Sequence, residues 1–66
     1  MTPADRVAMR LKALRAKRGL TQKALAERAD ISHGYLARLE TARQDSSLTI
    51  LEKLAKALHV DVRKLL

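Results

Sequence analysis

Residues 20 to 40, LTQKALAERADISHGYLARLE, decide how this chain is read. They hold two short amphipathic segments, each opened by a hydroxyl residue that can cap a helix. Thr21 opens the first, with Ala24, Leu25 and Ala29 recurring at helical spacing. Ser32 opens the second, with Leu36 and Leu39 turned inward. Only Asp30, Ile31 and the cap separate the two, so the helices must cross steeply, as in a helix-turn-helix. The second helix keeps His33, Gly34, Tyr35, Ala37 and Arg38 off its apolar seam. A helix anchored on one face, with a short donor-bearing face outward, suits a DNA major groove.

The flanks extend the same pattern. Thr2 can cap a first helix, Pro3 suits its first position, and Asp5 is favourable at the positive end of the dipole. Val7, Leu11 and Leu14 form one apolar stripe, with Arg6, Arg10, Lys12, Lys17 and Arg18 mostly elsewhere around the helix. Gly19 is a natural stop. Residues 41 to 47, TARQDSS, read as a polar loop whose Ser46 or Ser47 caps a fourth helix bearing Leu48, Leu51, Leu54, Ala55 and Leu58 on one face. After a turn at His59-Val60, Asp61 can cap a last helical turn or two, VRKLL. The expectation is a compact all-α, five-helix domain with a central helix-turn-helix, one domain across residues 1–66.

Composition narrows the classes. A chain of 66 residues buries only about 60% of its unfolded surface, so its stability is modest unless it oligomerises. There is no Cys, hence no disulfide or thiolate metal site, which fits a reducing cytosol. No apolar run is long enough to span a membrane, and no signal-peptide core is expected. Tyr35 is the only aromatic residue, so the core falls to Leu, Ala, Val and Ile. Fourteen basic against seven acidic residues give a net charge of +7, which favours a polyanion or an anionic membrane surface. Charge alone does not choose, since ribosomal proteins share it. His33 and His59 lie far apart with no Cys and no carboxylate at ligand spacing, so neither metal nor other cofactor is expected. Without a nucleophile–base pattern or a Gly-rich phosphate loop, neither is catalysis.

The chain resembles the Cro/phage-repressor (XRE-type) helix-turn-helix family. Leu14-Arg15, Arg18-Gly19-Leu20-Thr21-Gln22 and Leu25-Ala26 look like its first half, and Ile31-Ser32, Tyr35-Leu36 and Arg38-Leu39-Glu40 like its recognition helix. Ser47-Leu48, Leu51 and Lys53 to Val60 are similar to its fourth helix and the following turn. The resemblance runs from about residue 7 to the end. It departs at Ala42, where Gly is usual, at Ser46, where Pro is common, and at His59, where Gly is frequent.

Several side chains are candidates for contact with a duplex. Gln22 sits beside free backbone N–H groups at a helix start, an anion site by its own geometry, and the resemblance implies the same phosphate-clamping role. His33, Gly34, Ala37 and Arg38 occupy positions equivalent to the family's groove-facing residues. Arg38 has the fork to bond guanine O6 and N7 together, or else meets phosphate or solvent. His33 can exchange one hydrogen bond with a base edge or phosphate, or stand merely exposed. Gly34 offers clearance for the backbone, and Ala37 a methyl for thymine. Tyr35 either sends its hydroxyl to phosphate, as the family's position often does, or packs partly into the core. Arg43, Gln44, Ser32 and Lys23 complete the phosphate candidates. Arg15 and Glu40 fall at family positions known as an ion pair, a scaffold role that orients rather than reads.

Together these imply a sequence-specific double-stranded DNA-binding regulator, a repressor of prokaryotic or phage origin, cytoplasmic and nucleoid-associated. One helix reads only a few base pairs, so a homodimer on a pseudo-palindrome is expected, with half-sites about 34–36 Å apart. Val60, Val62, Leu65 and Leu66 form an apolar tail that either makes the dimer interface or caps the monomer's own core. Two other readings stand beside this one. An antitoxin-type module would bind a protein partner and use DNA for autoregulation, although no disordered toxin-wrapping tail is evident. A basic amphipathic membrane-surface peptide would exploit the first helix, but the ordered caps and compatible apolar faces argue against it.

Overall fold

A computed structural model describes residues 1–66. It contains α1 (Pro3–Lys17), α2 (Gln22–Ala29), α3 (His33–Glu40), α4 (Leu48–Ala57) and one 3-10 turn (Val62–Lys64), with no strand. Each helix starts where a hydroxyl residue accepts from the backbone. Thr21 takes Ala24 N at 3.0 Å, Ser32 takes Tyr35 N at 3.0 Å, and Ser47 takes Ile50 N at 3.2 Å. At α1 the cap is reciprocal: Thr2 Oγ1 accepts from Asp5 N at 3.1 Å while Asp5 Oδ2 accepts from Thr2 N at 3.0 Å.

The four helices also end alike. Gly19, Asp30, Ala42 and His59 all adopt left-handed backbone, with φ of 67°, 57°, 58° and 58°. The next residue then donates to a carbonyl five positions back: Leu20 to Arg15, Ile31 to Ala26, Arg43 to Arg38 and Val60 to Ala55, at 2.9–3.1 Å. This is the Schellman arrangement, which satisfies carbonyls a helix would otherwise leave open. Only one of the four left-handed residues is glycine. The chain therefore carries strain at the other three, of roughly 1–2 kcal/mol where the side chain has no compensating bond.

Leu11, Leu25, Leu36, Leu39, Leu54, Leu58 and Leu65 are fully buried in one core, filled out by Ala26, Ala29, Leu51 and Ala55. α1 packs on α3, α2 on both α3 and α4, and α4 on the final turn. α3 is thus held from two sides and shows its remaining face to solvent.

Three expectations need correction. There are four α-helices, not five: the final segment bonds i to i−3, Lys64 N to Asp61 O and Leu65 N to Val62 O, both at 2.9 Å. That bonding makes a single 3-10 turn. Leu65 cannot serve as an interface residue, because that turn drives it wholly into the monomer's core. Leu48, expected on the buried face of the fourth helix, is 57% exposed at its first position. The seam of α4 begins instead at Leu51, with Ile50 half-buried beside it.

Candidate nucleic-acid interface

α3 divides cleanly. Leu36, Leu39 and Glu40 are buried, whereas Ser32, His33, Gly34 and Arg38 are exposed and Ala37 half-buried. The surface clefts lie elsewhere, and none is lined by His33, Gly34, Ala37 or Arg38. The outward side of α3 is therefore a ridge rather than a pocket, the shape that enters a groove.

Beneath that ridge runs a chain of polar contacts. Arg15 Nε donates to Glu40 Oε2 at 2.7 Å and its Nη2 to Glu40 Oε1 at 2.9 Å, while Nη1 closes on Leu20 O at 2.8 Å. The Glu40 bonds hold the Arg15 guanidinium above even the usual arginine range, so it stays charged. Gln22 Nε2 donates to the same Glu40 Oε1 at 3.2 Å, and Gln22 Oε1 lies 3.2 Å from His33 Nε2. Gln22 is thus half-buried and oriented from behind, and His33 is tied to it. The family resemblance implies the Arg15–Glu40 pair, but nothing in the sequence signals that Gln22 and His33 continue the chain. Their link spans two helices, and no local spacing encodes it.

The rest of the ridge is similarly arranged. Arg38 Cζ lies 5.8 Å from the Tyr35 ring centroid, within cation–π range, and its Nε reaches Gln44 Oε1 at 3.4 Å. Gln44 also donates to Asp45 O at 3.2 Å, which ties its amide into the loop with one N–H left over. Tyr35 packs its ring against the core and donates its hydroxyl to Asp45 O at 3.2 Å. Its phenol pins the loop after α3 and retains a lone pair on the surface. Thr41 Oγ1 donates toward the carbonyls of Ala37 and Arg38, each at 3.2 Å, closing the helix end.

Arg43 occupies an unusual place. At the other three helix ends the corresponding residue is apolar (Leu20, Ile31, Val60) and packs on the core, as this motif commonly requires. After α3 that position holds an exposed arginine whose side chain makes no hydrogen bond. The local packing contact is forgone and the cation left free beside the ridge. Lys23 is likewise exposed next to Gln22.

Charge is distributed unevenly. Between Leu20 and Glu40, Lys23, Arg28 and Arg38 are balanced by Glu27, Asp30 and Glu40. The excess resides in Arg6, Arg10, Lys12, Arg15, Lys17 and Arg18, against Asp5 alone, and to a lesser degree beyond α3. The two crossed helices supply shape and hydrogen bonds. The rest of the domain supplies the field.

Such an arrangement defines the DNA-binding, transcription-regulating helix-turn-helix class. Residues 11–65 match the helix-turn-helix family model, and the chain belongs to that family, in its phage-repressor (XRE) type. It is 48% identical over 56 residues to the immunity repressor protein of Bacillus phage phi105, a stretch that covers 85% of this chain and 39% of the repressor. The chain thus spans about two fifths of that relative's length. Among solved structures it is similar to the restriction-modification controller protein C.AhdI of Aeromonas hydrophila, with a TM-score of 0.93 and 32% identity over 96% of both chains. It is also similar to the clp gene regulator ClgR of Corynebacterium glutamicum, with a TM-score of 0.94 and 31% identity over 98% of this chain and 69% of that one.

Proposed function

We propose that this chain binds double-stranded DNA sequence-specifically as a homodimer and represses transcription by occupying a pseudo-palindromic operator. The observation that carries the reading is the two-sided character of α3: an inner face locked by Leu36, Leu39 and Glu40, and an outer ridge on which Arg38 and His33 stand exposed. On this reading α3 lies in the major groove. Arg38 takes a guanine edge, His33 a second base, and Gly34 and Ala37 allow close approach. Gln22, with the N-terminus of α2, and Lys23 hold phosphates on one side, while Arg43 holds them on the other, with Ser32, Tyr35 and Gln44 as flanking contacts. The likeness to a phage immunity repressor and to regulators supports this assignment of task.

Eight helical residues span about 12 Å, enough for a few base pairs only, so specificity calls for a second copy. With Leu65 withdrawn into the core, the interface falls to Leu66, 45% exposed, and the half-buried Val60 and Val62. The test is selection from a randomised duplex pool at about 150 mM salt, where non-specific binding is weak. Enrichment of an inverted repeat with half-site centres one helical turn apart supports the reading, and recovery of no motif refutes it. Leu66→Asp should abolish cooperative occupancy of the two half-sites while leaving the helical content of the isolated domain unchanged.

A further inference from the structure

The polar chain behind α3 ends on a histidine, and this determines what that histidine offers. A carboxylate gripped by a guanidinium has only acceptors to show a third partner. The Gln22 group facing Glu40 at 3.2 Å must therefore be the amide NH2, which turns the Gln22 carbonyl toward His33. A carbonyl only accepts. The ring nitrogen it meets, Nε2 at 3.2 Å, must carry a proton. His33 Nδ1 makes no hydrogen bond within the domain, and the ring stands exposed on the ridge.

We propose that Arg15, Glu40 and Gln22 act as positioning residues that fix the proton on His33 Nε2, so that Nδ1 alone reads a base, with a preference that reverses when the ring is protonated. This rests on the reading of α3 as the groove-bound helix. Neutral, Nδ1 is an acceptor and pairs with the N4 amine of cytosine. Protonated, Nδ1–H is a donor and pairs with N7 or O6 of guanine. An imidazole changes charge within the physiological range, where neither base titrates within the duplex. The charged residues flanking His33 along the chain are Asp30 in the turn before α3 and Arg38 further along it, and Lys23 follows Gln22 on α2. Arg38 Nη1 lies 3.6 Å from where a Cβ on Gly34 would sit. Beyond Gln22 stands the Arg15–Glu40 pair. None of these charged side chains hydrogen-bonds the ring directly, so the Gln22 carbonyl is the contact that sets its proton.

The experiment compares two operator duplexes that differ only by C·G against G·C at the position whose preference His33→Ala erases. Their affinity ratio is measured at about pH 8 and about pH 5.5, either side of the ordinary imidazole range. Wild type should favour cytosine at the higher pH and guanine at the lower, the ratio moving about fivefold or more, as one hydrogen bond gained and one lost implies. His33→Gln, which cannot titrate, should show one ratio at both values. A wild-type ratio that ignores pH, or a His33→Gln ratio that moves as much as wild type, overturns the proposal. Nitrogen NMR of the free domain at pH 8 tests the ring state without DNA. Wild type should show the Nε2–H form alone, and Gln22→Leu a mixture of both forms; identical spectra from the two proteins would disprove the positioning role. If no duplex is bound selectively, the regulator reading fails and takes base reading with it, while the NMR result still decides the ring state separately.

Discussion

Arg15 and Glu40, 25 residues apart, meet in a two-pronged contact of 2.7 and 2.9 Å that joins the end of α1 to the last residue of α3. The Glu40 side chain is only 2% exposed and that of Arg15 16%, so this pair is largely withdrawn from water. Burying two charges costs about as much as their attraction returns, but removing one partner strands the other. The pair is better understood as a device that sets the angle of α3 than as a store of stability.

Arg15→Leu should therefore destabilise the domain by about 3 kcal/mol, since the buried carboxylate keeps only the Gln22 amide. For 66 residues the whole reserve is about 3–10 kcal/mol, so this single change approaches unfolding. Arg15→Leu combined with Glu40→Leu should recover most of the loss. Urea melts of the three variants decide it. A double variant no more stable than Arg15→Leu would mean that the cost lies in packing, not in charge.

Ala42 holds φ at 58° with no side-chain bond to compensate, at the turn that leads from α3 into the loop. Ala42→Gly should raise stability by about 0.5–1 kcal/mol, the strain relieved exceeding the extra freedom gained by the unfolded chain. In so small a domain that is a rise of about 2–8 °C in Tm. A lower Tm would show that the alanine methyl makes a contact worth more than the strain.

Gly34 presents the opposite case. It sits inside α3 with ordinary helical φ, and a Cβ there would meet only Arg38 Nη1 at 3.6 Å, a normal contact with a flexible group. Gly34→Ala should stabilise the fold by about 0.5–1 kcal/mol, as helix propensity dictates. If the bare backbone exists to let the duplex approach, the same variant should bind DNA more weakly. Melts and affinities moving in opposite directions would establish clearance as its role; both improving together would refute clearance, and an unchanged affinity would remove it from the interface.

Two exposed carboxylates are held low by local bonds. Asp61 is held below the ordinary carboxylate range chiefly by the Arg63 side chain, bonded at 3.0 and 3.2 Å, and then by Arg63 N. Asp5 is lowered by the backbone and then the hydroxyl of Thr2. Both groups titrate lower in the folded than in the unfolded chain, so their stabilisation is complete above about pH 4 and is lost as pH falls through the folded values. Asp5→Asn with Asp61→Asn should flatten the decline of the urea midpoint below pH 4. A slope as steep as wild type would place the acid sensitivity at other carboxylates.

Much of the architecture was legible because capping is local. Thr2, Thr21, Ser32, Ser47 and Asp61 each announce a helix start within three residues of the group they satisfy. The final element is ambiguous in sequence, because Val62 to Leu66 has the same apolar spacing whether it winds as α or as a single 3-10 turn. Leu65 and Leu66 are likewise indistinguishable in sequence, and only packing sends the first inward. The Gln22–His33 contact was invisible for a different reason. Both residues look like independent polar positions until Glu40, fixed by Arg15, dictates which way the amide turns. Arg43 reads from sequence as a loop cation, yet its meaning emerges beside Leu20, Ile31 and Val60, which fill the same place with apolar side chains.

That contrast separates the tasks of the two outer arginines. Arg38 rises from the ridge itself, steadied by the Tyr35 ring and Gln44, so Arg38→Ala should cost about 1–3 kcal/mol on the preferred operator and relax the preference at one base pair. Arg43 stands off the helix end with nothing to orient it toward a base edge. Arg43→Ala should weaken every duplex alike and lower the slope of log K against log salt by about one. Because truncating Arg38 also uncovers Tyr35, Arg38→Lys serves as the control. It keeps the charge and much of the stem but loses the planar fork, so it should keep the salt slope and lose the base preference. Equal, sequence-blind losses from Arg38→Ala and Arg43→Ala, with an unchanged preference in Arg38→Lys, would mean that both arginines hold phosphate and that the readout rests on His33 and its neighbours.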